Sequence, residues 1–406
     1  MNNQLLQRFL QYVQIDTQSA DEQANVPSTS KQFNLLNLLK QQLEQMGVQV
    51  SMDQNHGYVY AKIPANTCGT YKLGFIAHVD TSPAVSGANV KPMVTENYQG
   101  NAIQLAEGRV LDPKEFTDLA THVGQTLVCS DGTTLLGADD KAGVAVIMQL
   151  AQTLASNPSI PHGEIRIAFT PDEEVGRGTD FFNVETFNAD GAFTIDGGGL
   201  GELEYENFNA ASAKVTVFGK SVHPGYAKGI MINANLVLME LQNLLPVCQN
   251  PMYTEGYEGF FHLDSMVGQC DKAVGNYIIR DHDMDKFLAK KQLMQQAVDF
   301  LNNKYGNGTV VLDLKDSYFN MKEKILPHMH LVENAKLAMQ RAGVTPIVCP
   351  IRGGTDGARL SYQGLPCPNI FTGGHNYHGR YEYVTLDDMA KCLQVALNLV
   401  DIYKDR

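Results

Sequence analysis

The stretch Leu73-Gly74-Phe75-Ile76-Ala77-His78-Val79-Asp80 decides how this chain reads. Five small or apolar residues in a row, too few for a helix, have the character of a strand covered on both faces. The run stops on an imidazole and a carboxylate. Side chains two apart in a strand share a face, so His78 and Asp80 lie together, and the acid can fix the imidazole tautomer from behind. By itself the pair is weak, because His262-Leu263-Asp264 repeats it and an isolated H-x-D is more often a surface hydrogen bond.

Working outward, the same ending recurs. The strand pattern Glu164–Thr170 runs into Pro171-Asp172-Glu173-Glu174, with no basic residue until Arg177. Three adjacent acids repel one another; at the mouth of a buried sheet they need a cation or raised pKa values, whereas in a solvated loop they need nothing. Ala192–Ile195 ends in Asp196-Gly197-Gly198-Gly199, and the strand near Asn369–Thr372 ends in Gly373-Gly374-His375-Asn376-Tyr377-His378. Between these lies Leu136-Gly137-Ala138-Asp139-Asp140-Lys141-Ala142-Gly143, ahead of an almost wholly apolar helix pattern, Gly143–Leu154. Helix capping accounts for one of those two Asp residues and less well for both.

Strands alternating with helices predict an α/β fold, a sheet covered by helices with functional residues at strand ends. Near residue 208 the style changes. Strand patterns at Lys214–Phe218, Ser265–Val274, Tyr277–Arg280 and Thr309–Leu314, with helix patterns at Asn233–Val247 and Asp285–Lys304, form a block with its own β-α-β-β-α-β order. The earlier style then resumes, ending in a helix over Leu386–Tyr403. The expected organisation is a discontinuous domain, 1–207 and 320–406, interrupted by a smaller α+β insert over 208–319.

Composition bounds the function. Across 406 residues, hydrophobic residues make up 44% and charged residues 18%, which fits a globular chain and excludes wholesale disorder. A net charge of −13 opposes binding to a phosphate backbone, so no nucleic-acid partner is expected. The seven cysteines form no C-x-x-C, and no apolar run approaches the ~20 residues of a membrane helix. The expectation is a cytoplasmic protein in a reducing compartment, with no membrane partner.

Five strand ends thus deliver His, Asp, Asp/Glu, Asp and His to one rim of one sheet. A mixed imidazole and carboxylate set with a spare acid is what a two-metal hydrolytic site requires, with ions ~3.5–4 Å apart sharing one carboxylate. In order and spacing the motifs AHVDT, LLGADDKAG, FTPDEEVGRG, TIDGG and FTGGHNYHG, with VFGKSVHPGYAKGIMINA in the insert, resemble the tripeptide aminopeptidases of the M20 family of co-catalytic zinc peptidases. The likeness runs essentially end to end. It implies a zinc-peptidase-like mixed sheet with a ferredoxin-like lid, and two Zn2+ ions, cobalt or manganese fitting the same ligands.

Carried over by position, the resemblance makes Asp140 the bridge, His78 and Asp196 the rest of one metal site, and Glu174 and His378 the rest of the other. Glu173 becomes the general base acting on a bridging hydroxide, Asp80 the group that orients His78, and His223 the oxyanion donor of the lid. His375 is expected beside the site without being a ligand, and His328 and His330 at the surface. Arg280 and Arg352 are two candidates for clamping the carboxylate of a tripeptide substrate, each weighed against an ordinary ion pair. Some family members pair two subunits through the insert, so a homodimer stands among the expectations. The same metal residues would serve a dipeptidase, a carboxypeptidase or an N-acyl amino acid deacylase. A non-catalytic binding homologue would have lost a ligand or the base, and this sequence lacks none.

Overall fold

Four strands rich in Ile, Phe and Ala have no polar face to offer water, and they become the centre of the larger sheet. The computed structural model describes residues 2–406. In it, Glu164–Thr170, Lys72–His78, Gly191–Gly197 and Asn369–Phe371 lie side by side and parallel. Antiparallel strands Tyr58–Ile63 and Gln49–Asp53 extend one edge. At the other edge Glu202–Glu204 runs antiparallel to Asn369–Phe371, with Ile347–Val348 parallel beyond it, making eight strands in all. The sheet is therefore mixed, and its parallel centre puts four carboxyl ends along one rim, where open α/β sheets bind ligands.

The helix Ala138–Ser156 is apolar all round and is accordingly buried over nearly its whole length. It begins earlier than its apolar pattern predicts, because Asp139 and Asp140, with non-helical backbone angles, form its first turn. The helices Asn2–Val13 and Leu386–Tyr403 pack against it, each through an apolar stripe that includes Phe9 and Val13, and Leu393 and Val400. A second, antiparallel sheet joins Gly374–His375, Tyr383–Thr385, Leu127–Ser130 and Pro92–Thr95. The sequence reading did not anticipate it, since its strands are two to four residues long.

The chain divides into two compact units. The first comprises everything up to Tyr205 with Glu323–Cys349 and Thr355–Arg406; the second comprises Glu206–Lys322 with Pro350–Gly354. That last segment escaped the sequence reading. It returns to the second unit because the Ile351 amide donates to Glu206 O at 2.8 Å. The second unit has strands Asn209–Phe218, Phe260–Gly268, Lys272–Asp281 and Val310–Tyr318, all antiparallel, in the spatial order fourth, first, third, second. With helices Ala234–Leu244 and Met284–Tyr305 this is the ferredoxin-like arrangement, around a core that includes Val215, Leu238, Ile279 and Phe287. The two middle strands pair across a turn at residues 269–271, inside the span 265–274 that reads as one strand from its apolar content.

Candidate active site

Each parallel strand of the first unit ends in a group that could hold a metal or move a proton. His78 closes Lys72–His78, is 2% exposed, and contacts acids on both ring nitrogens. Its Nδ1 lies 3.1 Å from Asp80 O and 3.2 Å from Asp80 Oδ1. Its Nε2 lies 2.9 Å from Asp139 Oδ1 and 3.4 Å from Asp196 Oδ1. Two residues past His78, the fully buried Asp80 also accepts the amides of Glu173 at 3.0 Å and Glu174 at 3.2 Å. One carboxylate thus orders the imidazole of one strand end and the backbone of the next.

The acidic run after Thr170 is divided by geometry. Asp172, at a positive φ of 54°, turns away and accepts Ser28 N and Oγ, both at 2.5 Å, and Gln32 Nε2 at 2.6 Å. It anchors the loop and leaves Glu173 and Glu174 for the site. Glu174 Oε2 meets His378 Nε2 at 2.9 Å, while its Oε1 is buried without a partner. His378, exposed at the rim with φ 60°, also meets Asp139 Oδ2 at 3.0 Å.

Between the two imidazoles lies Asp139, where the sequence reading had expected Asp140. One Asp139 oxygen faces His78 and the other His378. Asp140 accepts the amides of His78 at 3.2 Å and Gly143 at 3.1 Å, capping the helix while remaining at ligand distance from His78 and Asp196. The helix start explains the difference: a residue that caps the first turn spends its oxygens on backbone N–H groups, and the extended residue before it projects outward. Nothing in the pair itself tells which Asp does which.

Electrostatics follows from crowding six carboxylates around two imidazoles. Burial first, then the charge of Asp196, pushes the Glu173 carboxyl well above its usual range. Burial and Asp139 push Glu174 up to about 8. Asp196 goes up to about 6 through burial, with His78 opposing. Burial would raise Asp139 too, but hydrogen bonds from His378 and His78 overcome it and hold that carboxyl down. His78 is pushed well up by Asp196 and Asp139 in spite of its burial. Hydrogen bonds donated to Asp139 and Glu174 carry His378 up to about 11. An excess of carboxylate with an orphaned Glu174 oxygen fits cations at this place.

Two acids escaped the sequence reading. Glu382, 1% exposed, accepts the amides of Leu136 at 2.7 Å, Gly137 at 2.8 Å and Asp139 at 3.1 Å, clamping the loop that presents Asp139. Asp356, buried, accepts Thr170 Oγ1 at 2.7 Å; burial pushes it up to about 7. Neither follows directly on the carboxyl end of an apolar strand.

Of the remaining candidates, His223, Arg280, Arg352, His262 and Asp264 lie in the second unit, and His328 and His330 in the first. His223 is exposed, and its Nδ1 accepts the Gly225 amide at 3.1 Å, so the neutral ring carries its proton on Nε2. Arg280 makes long bonds to Ile279 O (3.2 Å) and Ala211 O (3.4 Å) and lies over the Tyr318 ring. Arg352 is more fully engaged, reaching Gly256 O at 2.6 Å, Glu258 O at 3.2 Å and Thr254 Oγ1 at 3.2 Å. His328 and His330 face each other at a ring separation of 6.2 Å, and His330 meets Tyr71 Oη at 3.2 Å. His262 and Asp264 lie 3.8 Å apart and exposed.

A sequence model of Peptidase family M20/M25/M40 matches residues 135–401. Peptidase T of Alkaliphilus oremlandii is 54% identical over 405 residues, covering 98% of this chain and 99% of that protein. Peptidase T of Bacillus velezensis is 50% identical over 410 residues, covering all of both. Among solved structures, aminopeptidase PepT from Bacillus cereus superposes with a TM-score of 0.79 at 22% identity, covering 99% of each chain. A tripeptidase from Staphylococcus aureus gives 0.81 at 22% identity, over 100% of this chain and 99% of that one. At those identities the structures speak for the fold, a mixed sheet with helices and a smaller α+β unit. Among the described residues no helix is long and apolar enough to cross a membrane.

Proposed function

The chain belongs to peptidase family M20/M25/M40, within its peptidase T group, and from that premise we propose that it removes the N-terminal residue of tripeptides at a two-metal centre. The observation that carries the reading is Asp139, with one oxygen on each of two imidazoles from separate strand ends. Asp139 would bridge the ions, His78 and Asp196 serving one, Glu174 and His378 the other. A Bacillus subtilis M20 protein of the same fold is described as a dinuclear metal-binding peptidase, with a TM-score of 0.68. Imidazole and carboxylate ligands suit zinc, with cobalt and manganese as substitutes. When bound, the ions polarise the scissile carbonyl and make a water acidic enough to attack it near neutral pH.

The protein's own groups do the rest. Glu173 takes the proton of the attacking water and passes it to the departing amine. Its burial and acidic neighbours raise its affinity for that proton. Asp80 holds His78 in one orientation and fixes the backbone from which Glu173 projects. His223, with Nε2–H free to donate, serves the oxyanion. Arg280, whose bonds to carbonyls are long, is the clamp for the C-terminal carboxylate; Arg352 braces the 254–258 loop. A clamp on the C-terminal carboxylate would select peptide length and so favour tripeptides over dipeptides.

The test is hydrolysis of Ala-Ala, Ala-Ala-Ala, Ala-Ala-Ala-Ala and N-acetyl-Ala-Ala-Ala by zinc-loaded protein, with Glu173→Gln alongside. Release of the first residue from the tripeptide, lost by at least ~10²-fold in the variant, supports the reading. Preference for the dipeptide or the acetylated peptide moves the enzyme to a dipeptidase or deacylase activity. Equal rates on tripeptide acid and tripeptide amide remove the carboxylate clamp.

A further inference from the structure

A second group of metal-ligating side chains lies outside the site described above. His122, His375 and Asp388 come from three separate segments of the first unit: a short helical turn at Thr117–His122, the strand Gly374–His375, and the first turn of the helix Leu386–Tyr403. A ring nitrogen of each histidine and a carboxylate oxygen of Asp388 all lie within 4.8 Å of one another. The two imidazoles stand 5.1 Å apart at 65°, and His375 stacks on Tyr383 at 4.9 Å.

What sets this group apart is its unmet bonding. His122 is 5% exposed and Asp388 1%, yet His122 Nε2, His375 Nε2 and Asp388 Oδ2 have no hydrogen-bond partner. The Gln125 side chain donates to the Asp388 carboxylate, and His122 Nδ1 lies 3.5 Å from Asp388 Oδ2. Three buried polar atoms left open in one place are costly unless something satisfies them together. His122 Nδ1 faces both Gln125 Oε1 at 3.0 Å and Asp388 Oδ2 at 3.5 Å, acceptors alike, so Nδ1 carries the proton and the unpartnered Nε2 keeps its lone pair. Burial, with His122 beside it, pushes His375 down to about 4, which leaves that ring neutral at pH 7. A hollow of about 450 Å³ adjoins the group on the Asp388 side, lined by Gln125, Leu200, Asp387 and Asp388.

We propose that His122, His375 and Asp388 form a separate site for one zinc-like divalent cation, with water as the fourth ligand. Two imidazoles and one carboxylate select a borderline ion over calcium or magnesium. The ion ties three segments together. His375 pairs with Tyr383 across the hairpin that also carries His378 and Glu382, so the site braces the loop that serves the catalytic rim without touching the substrate.

The experiment compares zinc content per chain for the full-length protein, His122→Leu and Asp388→Asn, each saturated with zinc and freed of excess by gel filtration. One equivalent less in each variant, with tripeptidase turnover within about threefold of wild type, supports the site. Equal zinc in all three overturns it. Because the readout is a difference of one ion, it holds whatever the occupancy of the centre around Asp139. Should a variant fail to fold, anomalous scattering at the zinc edge from wild-type crystals grown in zinc decides: a peak among the three side chains supports the site and its absence overturns it.

Discussion

Asp80 accepts the backbone amide of Glu173 at 3.0 Å, so the residue behind the first imidazole also sets the direction of the proposed base. Its other oxygen takes the Glu174 amide at 3.2 Å, and Nδ1 of His78 lies beside the first. All of its neighbours are donors. Asp80→Asn keeps the shape but turns an NH2 toward one of them, which leaves two buried donors face to face. Turnover should fall ~10–100-fold with weaker metal retention, measured as kcat/KM together with zinc content after dialysis. Unchanged turnover would take Asp80 out of the positioning role.

The two adjacent aspartates should separate cleanly. Asp139 sits between the imidazoles, whereas Asp140 caps the helix and holds the His78 amide. Asp139→Asn should lose zinc and at least ~10²-fold of activity while melting near wild type. Asp140→Asn should be governed by stability, costing ~1–3 kcal/mol because one of the two amides it accepts then faces a donor. Melting curves and zinc content on the same samples check both. The reverse pattern would restore Asp140 to the bridge.

Much of this was legible before the fold was known, for a physical reason. Strands such as Lys72–His78 and Glu164–Thr170 are apolar over their length, so the first polar residue marks the strand's carboxyl end, where α/β sheets place chemistry. That logic points to His78, the run Asp172-Glu173-Glu174, Asp196 and the imidazoles His375 and His378; the family resemblance chooses among them. It failed where burial carries no pattern. The short strands Pro92–Thr95 and Tyr383–Thr385 have no measurable period, and Glu382 and Asp356 act through backbone amides and a hydroxyl distant in sequence. The choice between Asp139 and Asp140 depends on backbone angles at a helix start, which neighbouring residue types do not encode. Likewise, Pro350–Gly354 joins the second unit through the Ile351 backbone and the Arg352 side chain, contacts that no composition change announces.

Gly143 is required by space. A Cβ there would run into Ile195 O, a strand carbonyl, and into the Asp140 carboxylate. The residue after Ile195 is Asp196, so the helix and the strand that presents a proposed ligand approach through this glycine. In Gly143→Ala the helix must lift from the strand, an overpacking cost of ~1–3 kcal/mol. Both a lower melting temperature and weaker zinc binding are expected, since Asp140 and Asp196 move together. A stable Gly143→Ala protein with full zinc content would show that the contact yields.

Glu204 supplies a pH dependence separate from the metal ligands. It is 9% exposed and accepts Asn369 Nδ2 at 2.7 Å; burial, then the charge of Glu202, pushes its carboxyl up to about 8. An unfolded glutamate titrates near ~4.3, so between there and pH 8 the folded chain holds a proton that the unfolded chain releases. Stability therefore falls as pH rises through this window; the contribution is full below the unfolded value and spent above about 8. Glu204→Gln keeps an oxygen for Asn369 and removes the titration. The variant should match wild type near pH 4.5 and melt higher at pH 8, so the difference in melting temperature grows steadily between. Parallel melting curves across that range would show that Glu204 ionises in the folded protein as it does in water.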